Sequence, residues 1–249
     1  MKISIITVSY NAAATIEETM QSVFHQSYGN IEYVIIDGGS SDGTLEIVER
    51  YSDKIAHYVS EPDGGIYFGM NKGIAACSGD YIGILNADDV YASKEVLSEV
   101  AELLKASSAD TLYGDLEYVA EDNLQKVVRK WVSGNFQSNK FLSGWMPPHP
   151  TFFVKKELYT SCGVFNTDFK LAADYELLLR FLYKHKLSAV YLPKTLIKMR
   201  VGGVSNNSLK NRLAANKEDR KAWVVNSIRP KWYTLFMKPA SKLLQFLKK

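Results

Sequence analysis

Acidic side chains follow three predicted strands, each at the point where the strand ends. Asp37 opens a glycine-rich turn, Glu61 and Asp63 belong to a second turn, and Asn86-Ala87-Asp88-Asp89 forms a third. Ligands of open α/β sheets bind outside the carboxyl ends of the strands. A carboxylate at Asp37 can accept a hydrogen bond from a nucleobase N–H, and Asp88 can hold a divalent cation together with diphosphate oxygens. We therefore predict a cation-dependent ligand site at this edge, although each turn taken singly also fits a solvated helix cap.

The elements that must position these turns alternate between strand and helix over the first hundred residues, which is typical of βα units and a mostly parallel sheet. Predicted strands cover 3–8, 31–36, 54–59 and 81–85, and predicted helices cover 12–25, with Asn11 as its N-cap, 44–51 and 66–76. Further on, the pattern predicts an antiparallel pair at 111–119 and 125–131, a helix at 174–183 and a strand at 187–192. We predict one catalytic α/β domain, 1–205, and a basic helical tail, 206–249.

Composition excludes several classes of protein. The 249 residues are 46% hydrophobic and 23% charged, which are ordinary globular values and exclude a fibrous or disordered chain. The two cysteines have no paired or metal-ligand spacing, so a disulfide scaffold is excluded and a reducing compartment is expected. No apolar run approaches the roughly 20 residues that span a bilayer. We expect a cytoplasmic chain.

The net charge of +3 conceals two parts of opposite sign. Residues 1–176 carry a net charge of −12 and residues 177–249 one of +15. In the tail, lysines alternate with apolar clusters at 232–237 and 243–247. Such a segment can lie on an anionic membrane surface, or its apolar face can pack on its own domain, and the pattern does not separate the two. Nucleic acid is not an expected partner, because no recognised binding motif accompanies the charge.

Four motifs in order resemble one enzyme family. They are Thr7-Val8-Ser9-Tyr10-Asn11, the turn 37–44, the stretch 60–73 with Ile66-Tyr67 and Met70-Asn71-Lys72-Gly73, and Asn86-Ala87-Asp88-Asp89. Together they closely resemble the family 2 glycosyltransferases, in particular bacterial members that build lipopolysaccharide, capsule or exopolysaccharide. The likeness covers about residues 1–205. Each motif is common alone, but the four in this order are specific.

The resemblance implies a GT-A fold, a nucleotide-diphosphate sugar donor, Mn²⁺ or Mg²⁺, and inversion at the anomeric carbon. It also implies roles for individual residues. Matched by position, four groups of residues would bind the donor: Thr7, Ser9 and Tyr10 at the nucleoside, Asp37 at the uracil, Asn71 and Lys72 at the ribose or diphosphate, and Asn86, Ala87 and Asp88 at the position of the Asp-x-Asp motif. Asn86 replaces the first aspartate of that motif, which leaves Asp88 as the metal ligand. Asp174 would be the catalytic base, and His149 would lie beside the acceptor.

Trp145 is a further candidate for acceptor contact, since it could form an apolar lip for a sugar or lipid, or fill the core. The expected activity is transfer of a hexose, with UDP-hexose as the first guess, to a saccharide acceptor carried on undecaprenyl diphosphate at the inner membrane face. The +15 tail would then make the protein peripheral to that membrane. The alternative is a non-catalytic nucleotide-sugar binding module of the same fold. A nucleotidyltransferase is disfavoured, because Ser9-Tyr10-Asn11-Ala12 stands where its basic phosphate loop would be.

Overall fold

A computed structural model describes residues 1–202, 209–231 and 234. The strands are β1 Ile3–Ser9, β2 Ile31–Asp37, β3 His57–Ser60, β4 Tyr81–Ile84, β5 Val90–Tyr91, β6 Thr111–Ala120, β7 Asn123–Trp131, β8 Phe153–Lys155 and β9 Ala189–Arg200. The α-helices are α1 Ile16–Phe24, α2 Thr44–Glu49, α3 Ile66–Ala76, α4 Val96–Ser107, α5 Lys156–Cys162, α6 Ala173–Leu178 and α7 Leu209–Val225. Short 3₁₀ turns lie at Ser52–Lys54, Ser138–Ser143 and His149–Thr151, and a π-turn at Leu179–Lys184 continues α6.

The described strands form one mixed sheet in the order β3-β2-β1-β4-β8-β6-β9-β5, with β7 paired to β6 outside that path. Strands β1 to β4 run parallel, as predicted, and β6 and β7 form the predicted antiparallel pair. Strand β1 is buried along its whole length because helices cover both faces of the sheet. None of the described helices is both long and apolar enough to cross a bilayer.

Helix α3 lies unusually close to β1. A Cβ atom added at Gly69 would come within 2.6 Å of a Val8 methyl, and one at Gly73 within 2.5 Å of an Ile6 methyl. Both distances are shorter than real Cβ contacts, so only glycine allows this approach. The contact matters because α3 carries three residues of the candidate site, Tyr67, Asn71 and Lys72.

Several predicted elements differ from the structure, among them the strand predicted at 54–59, which the structure has as β3 at His57–Ser60. The helix predicted at 12–25 begins at Ile16, and Asn11 is not its N-cap. Instead the N–H groups of residues 11, 12 and 13 donate to Ser40, Thr44 and Asp42, so the turn after β2 binds the chain that would have formed the first helical turn. The last strand is longer than predicted, because β9 continues past Pro193 through a register shift against β6. The helix predicted at 174–183 is α6 followed by the π-turn.

The tail falls partly within the described residues. Helix α7 packs against α6 of the sheet domain. The apolar clusters predicted at 232–237 and 243–247 lie outside the described residues, apart from Thr234. The division of the chain at residue 205 remains a prediction.

Replacing Gly73 by alanine tests the close contact of α3 with β1. In an open helix this change would raise stability slightly, but here the new methyl group meets Ile6. We expect Gly73→Ala to lower the free energy of unfolding by about 1–3 kcal/mol through overpacking. Urea unfolding measures it. Gly29→Ala is the matched control, since nothing lies within 4 Å of its added Cβ, and equal stability of the two variants would contradict the contact.

Candidate active site

The carboxyl ends of β1, β2 and β3 lie side by side. Ser9 pairs with Asp37 in the sheet register, and Asp37 pairs in turn with Ser60. On the other side of β1, the Leu85 N–H at the end of β4 donates to the carbonyl of Ile6, so the chain enters the acidic turn after β4 at the same edge. The predicted gathering of polar turns at one edge of the parallel strands is therefore confirmed.

Asp37 is completely buried, and its carboxylate is surrounded by donors from the protein. One oxygen accepts from the backbone N–H groups of Gly39 (3.0 Å) and Ser40 (2.8 Å) and from the Ser60 hydroxyl (2.8 Å). The other accepts from the hydroxyls of Ser9 (2.8 Å) and Ser40 (2.6 Å). Burial alone would raise the pKa of Asp37, but the bonds from Ser40, Ser9 and Ser60 outweigh it and lower the pKa. These five bonds use the acceptor capacity of the carboxylate, so Asp37 holds the turn in this structure.

The side chains of the first motif differ in exposure, since Thr7 and Ser9 are buried and Tyr10 is exposed. The Thr7 hydroxyl is fully buried and shares a 2.9 Å hydrogen bond with Tyr33, and Ser9 is 2% exposed and donates to Asp37. Tyr10, by contrast, is 67% exposed and its ring lies beside Gly38 at the mouth of the edge. Of these three side chains, Tyr10 is therefore the one that a nucleoside at this edge could reach.

The two polar residues of α3 have different surroundings. The Asn71 side chain both donates to the carbonyl and accepts from the N–H of Phe165, each at 2.9 Å, so it ties α3 to the loop before α6. The Lys72 ammonium forms an exposed ion pair with Glu61 at 2.9 Å, and both lie near the end of β3. An exposed pair of this kind is weak, so a diphosphate could take the place of Glu61 beside Lys72.

The turn after β4 presents carboxylates whose oxygens are not fully used by the protein. No other described residue donates a hydrogen bond to the half-buried Asp88 carboxylate, and the Oδ1 of fully buried Asp89 has no partner among the described atoms. Asn86 donates to the other oxygen of Asp89 at 3.0 Å. Burial raises the pKa of Asp88, against the nearby charge of Arg200, and burial together with the charge of Asp88 raises the pKa of Asp89 further. A cation would relieve this unfavourable burial of negative charge.

This donor set fits a cation that is shared with a substrate. The described residues contain no group of three or more His, Cys, Asp or Glu side chains that could enclose a metal by themselves. Mg²⁺ and similar ions are usually held by one or two carboxylates together with substrate phosphates. Asp88 therefore suits a cation that arrives with, or is completed by, a diphosphate.

Arg200, which the sequence analysis did not select, binds the backbone of this turn. Its guanidinium is 7% exposed and donates to the Asp88 carbonyl at 2.5 Å and to the Glu121 carbonyl at 3.2 Å, and it pairs with Glu18. The acidic turn is thus connected to α1 and to the β6–β7 hairpin through one buried cation. No motif around Arg200 indicated this role, because its contacts join residues 79 to 182 positions apart in the sequence.

Asp174 lies in the first turn of α6, near the half-buried Tyr67 and the buried His149. The Tyr67 hydroxyl is 3.4 Å from its Oδ1, and the Tyr67 ring stacks on Phe165, with 5.6 Å between the ring centroids. His149 packs edge-on against the other side of this cluster, 5.4 Å from the Phe165 ring. Burial raises the pKa of Tyr67, and the charge of Asp174 adds to the rise. Burial lowers the pKa of His149, although Asp174 opposes this, so we expect a neutral imidazole beside the carboxylate.

One side chain connects the two acidic regions. Burial raises the pKa of Tyr118 on β6, and the negative charges of both Asp89 and Asp174 contribute to the rise. The Arg129 guanidinium opposes it from 3.9 Å above the Tyr118 ring. A single phenol therefore lies within electrostatic range of both the acidic turn after β4 and the start of α6.

Trp145 lies in a separate aromatic group. Its indole N–H donates to the Ser133 carbonyl at 3.0 Å, and its ring contacts Tyr113, Phe136 and Phe141 at centroid distances of 5.7 to 6.1 Å. The half-buried ring thus fills an apolar cluster. Its contact with an acceptor remains a prediction.

A family model for glycosyl transferase family 2 matches residues 4–172, more than half of the chain. The chain belongs to this family. It is 35% identical over 181 residues to a glycosyltransferase of Mycobacterium tuberculosis strain CDC 1551, covering 72% of this chain and 68% of that relative. The protein is therefore a transferase. The matched range ends two residues before Asp174.

Solved structures show that the transferase has the GT-A fold that its motifs imply. Residues 1–349 of TarS from S. aureus, in complex with UDP-GlcNAc, superpose with a TM-score of 0.69 at 19% identity, covering 91% of this chain and 66% of TarS 1–349. The mannosyltransferase PcManGT from Pyrobaculum calidifontis, in complex with GDP-Man and Mn²⁺, superposes with a TM-score of 0.62 at 18% identity, covering all of this chain and 76% of PcManGT. At this level of identity, the likeness concerns the fold alone.

Sequence reasoning missed Tyr67, Tyr118 and Arg200 as contributors to the site. Tyr67 belongs to a motif that was recognised, and its place in the first turn of α3, after the end of β3, was a usable signal. Tyr118 and Arg200 carried no such signal, because each reaches the site only through strand pairing in the second half of the sheet.

Replacing Asp37 by asparagine tests whether this side chain holds the turn. The amide loses the charge and places an NH₂ group against donors, so we expect Asp37→Asn to lower the free energy of unfolding by about 2–3 kcal/mol without any ligand. Because the folded-state pKa is lowered, the wild-type stabilisation is present above the unfolded pKa and is lost as the pH falls through the folded value. Urea unfolding at pH 7 measures the loss, with exposed Asp53→Asn as the control. A side chain that serves only the nucleobase would leave this stability unchanged.

Proposed function

We propose that the protein transfers a hexose from a nucleotide-diphosphate sugar to a hydroxyl of a saccharide acceptor, with inversion at the anomeric carbon. The first candidate for the donor is a UDP-hexose. The observation that carries the proposal is the 3.4 Å contact of Asp174 with Tyr67, because Tyr67 lies in the first turn of α3, after the sheet edge at which the acidic turn of Asp88 also lies. An inverting transfer needs charge neutralisation at the leaving diphosphate and a base on the opposite side of the sugar. We infer that the turn at Asp88 serves the first task and Asp174 the second.

The donor would lie along the carboxyl ends of β1 to β4. Tyr10 provides an exposed ring for the nucleoside, Lys72 provides a positive charge for the diphosphate, and Asp88 provides an oxygen ligand for a cation. When bound at Asp88, Mn²⁺ or Mg²⁺ supplies positive charge to the diphosphate oxygens. Asn86, Ala87 and the backbone of this turn would border the same region. Asp37, Ser9 and Thr7 would then support the donor site from within the protein.

Asp174 would accept the proton of the acceptor hydroxyl while the oxygen of that hydroxyl attacks the anomeric carbon and the bond from this carbon to the diphosphate breaks. Oxocarbenium character develops at the anomeric carbon, as in glycoside hydrolysis. The Asp174 carboxylate is half-buried and lies beside the Tyr67 hydroxyl, which can hold the correct rotamer. The neutral His149 behind Phe165 leaves the negative charge of Asp174 in place for this task. His149 would thus border the acceptor side of the cleft.

Replacing Asp174 by asparagine tests the base. We expect turnover to fall by about 10²- to 10⁴-fold, the range for a well-placed general base, while donor binding is kept. Release of UDP from a panel of UDP-glucose, UDP-galactose and their N-acetyl forms measures turnover. The thermal shift caused by the same donors with Mn²⁺ measures binding, since a ligand that binds the folded state raises the melting temperature.

The matched control for this variant is Asp168→Asn, which changes an aspartate of the loop before α6. Wild-type turnover by Asp174→Asn would remove Asp174 from the mechanism. A wild-type protein that is stabilised by UDP-sugars, but releases no UDP from any of them, would favour the non-catalytic binding module instead.

The acceptor that we propose is a saccharide on a lipid diphosphate, undecaprenyl diphosphate in the expected case. The support is the charge of +15 in residues 177–249 and the apolar clusters beside the last lysines. Each Lys or Arg near an anionic bilayer contributes about 1 kcal/mol to binding. A surface-bound enzyme would meet a lipid-linked acceptor within the plane of the membrane.

Removing the charge of the last four lysines tests this membrane contact. We expect the full chain to float with vesicles of phosphatidylglycerol and phosphatidylcholine, and the variant with glutamine at Lys238, Lys242, Lys248 and Lys249 to float several-fold less. A control variant carries glutamine at four exposed lysines of the sheet domain, Lys54, Lys94, Lys105 and Lys126. Equal flotation of both variants and the wild type would defeat the membrane anchor.

A further inference from the structure

One side chain from the C-terminal helix binds the segment that presents Asp174. The carboxylate of Glu218 on α7 accepts hydrogen bonds from three successive backbone N–H groups, those of Lys170 (3.0 Å), Leu171 (2.8 Å) and Ala172 (2.9 Å). Ala172 is the residue before α6 and lies two positions before Asp174. The bonds are charge-assisted, and such bonds are stronger than those between neutral groups.

Tyr67 contacts the same segment from α3. Its hydroxyl lies 3.4 Å from the Asp174 carboxylate, and the backbone N–H groups of Ala173 and Asp174 act against the rise in its pKa. The segment 170–174 is therefore contacted by one side chain from α7 and one from α3. Free N–H groups at a helix start would otherwise turn toward water and loosen this segment.

Two buried hydrogen bonds hold α7 in place for this contact. The Trp223 indole N–H donates to the Tyr175 hydroxyl at 2.9 Å, and the Asn226 amide donates to Glu176 at 2.8 Å. Trp223 is fully buried, and Glu176 is also paired with Arg180 at 2.9 Å. The helix and the residue after it are thus attached to the chain on both sides of Asp174, at residues 170–172 through Glu218 and at residues 175 and 176 through Trp223 and Asn226.

We propose that Glu218 is a positioning residue for catalysis, which sets the direction of the Asp174 carboxylate by holding the backbone of residues 170–172. This inference rests on the proposed role of Asp174 as the base. Glu218 itself would not touch the substrate. Glu218 lies outside residues 4–172, the range that the family model matches. The inference therefore gives a role in catalysis to a helix beyond that range.

A purely structural role for Glu218 makes different predictions. If Glu218 only docks α7 on the domain, its loss lowers the melting temperature but leaves kcat intact wherever the protein is folded. A positioning residue instead changes kcat without changing donor affinity, because the donor lies at the ends of β1 to β4 and not at α6. Misplacement of a reacting group by about 1 Å can lower the rate by about 10²-fold.

The experiment uses the full chain and the UDP-sugar that stabilises it most in the panel above, with UDP release as the readout. We expect Glu218→Ala to lower kcat by about 10- to 100-fold, with the donor KM within about twofold of wild type. Glu218→Gln keeps one acceptor oxygen, so its kcat should lie between those of the wild type and Glu218→Ala. Arg220→Gln, an exposed change on the same helix, is the matched control and should keep the wild-type kcat.

A double variant separates action through Asp174 from an independent effect. Coupled residues show non-additive effects, so Glu218→Ala should lower kcat no further once Asp174→Asn is present. An equal drop in both backgrounds would overturn the proposal, as would a wild-type kcat for Glu218→Ala below its melting temperature. Wild-type turnover by Asp174→Asn alone would instead defeat the base assignment and this inference with it.

Amide hydrogen exchange decides the contact itself without any turnover. Glu218→Ala should speed the exchange of residues 170–174 while the core strands stay protected, since local opening is measured segment by segment. Unchanged exchange in that segment would overturn the proposal. A chain that released no UDP from any donor would count against the proposed function, whereas the exchange result would still decide the contact of Glu218.

Discussion

The close contact of α3 with β1 is the constraint on which the rest of the site depends. Gly69 and Gly73 let the helix lie against Val8 and Ile6, and a side chain at either position would push it outward. Three further contacts start from this helix. Tyr67 reaches Asp174, Asn71 holds both backbone groups of Phe165, and Lys72 meets Glu61 at the end of β3. The distance between the sheet edge and Asp174 is therefore set by how closely one helix approaches one strand.

The electrostatics of the candidate site follow from the burial of several carboxylates at the carboxyl ends of the parallel strands. Asp37 is stabilised as an anion because five donors surround it, and its pKa is lowered. Asp88 and Asp89 have fewer donors, and burial raises the pKa of each. The same residue type thus has a structural role in one turn and keeps a carboxylate oxygen without a donor in the next, which suits the proposed cation site. What separates the two roles is the number of N–H and O–H groups within reach.

Sequence patterns predicted the first half of the molecule closely. Helix α3 begins and ends at the predicted residues, and β1, β2 and β4 lie within one residue of their predicted bounds, because their apolar patterns and turn glycines act locally. The start of α1 was wrong because Asp42, Ser40 and Thr44 compete for its first N–H groups from another turn. The predicted length of β9 was wrong because the part of the strand after Pro193 is held by pairing with β6. The local sequence pattern around this proline does not indicate that pairing.

The sequence by itself determined which groups are present at the sheet edge, since residues that directly follow parallel strands must meet there, and it indicated the family through four ordered motifs. The tertiary structure decided what each group can do. It buried Thr7, Ser9 and Asp37 inside the protein and left Tyr10 exposed, and it brought Glu218 from the tail to the start of α6. These outcomes depend on side-chain direction and on contacts between distant segments. Neither is encoded in local spacing, because both arise only when helices and strands pack together.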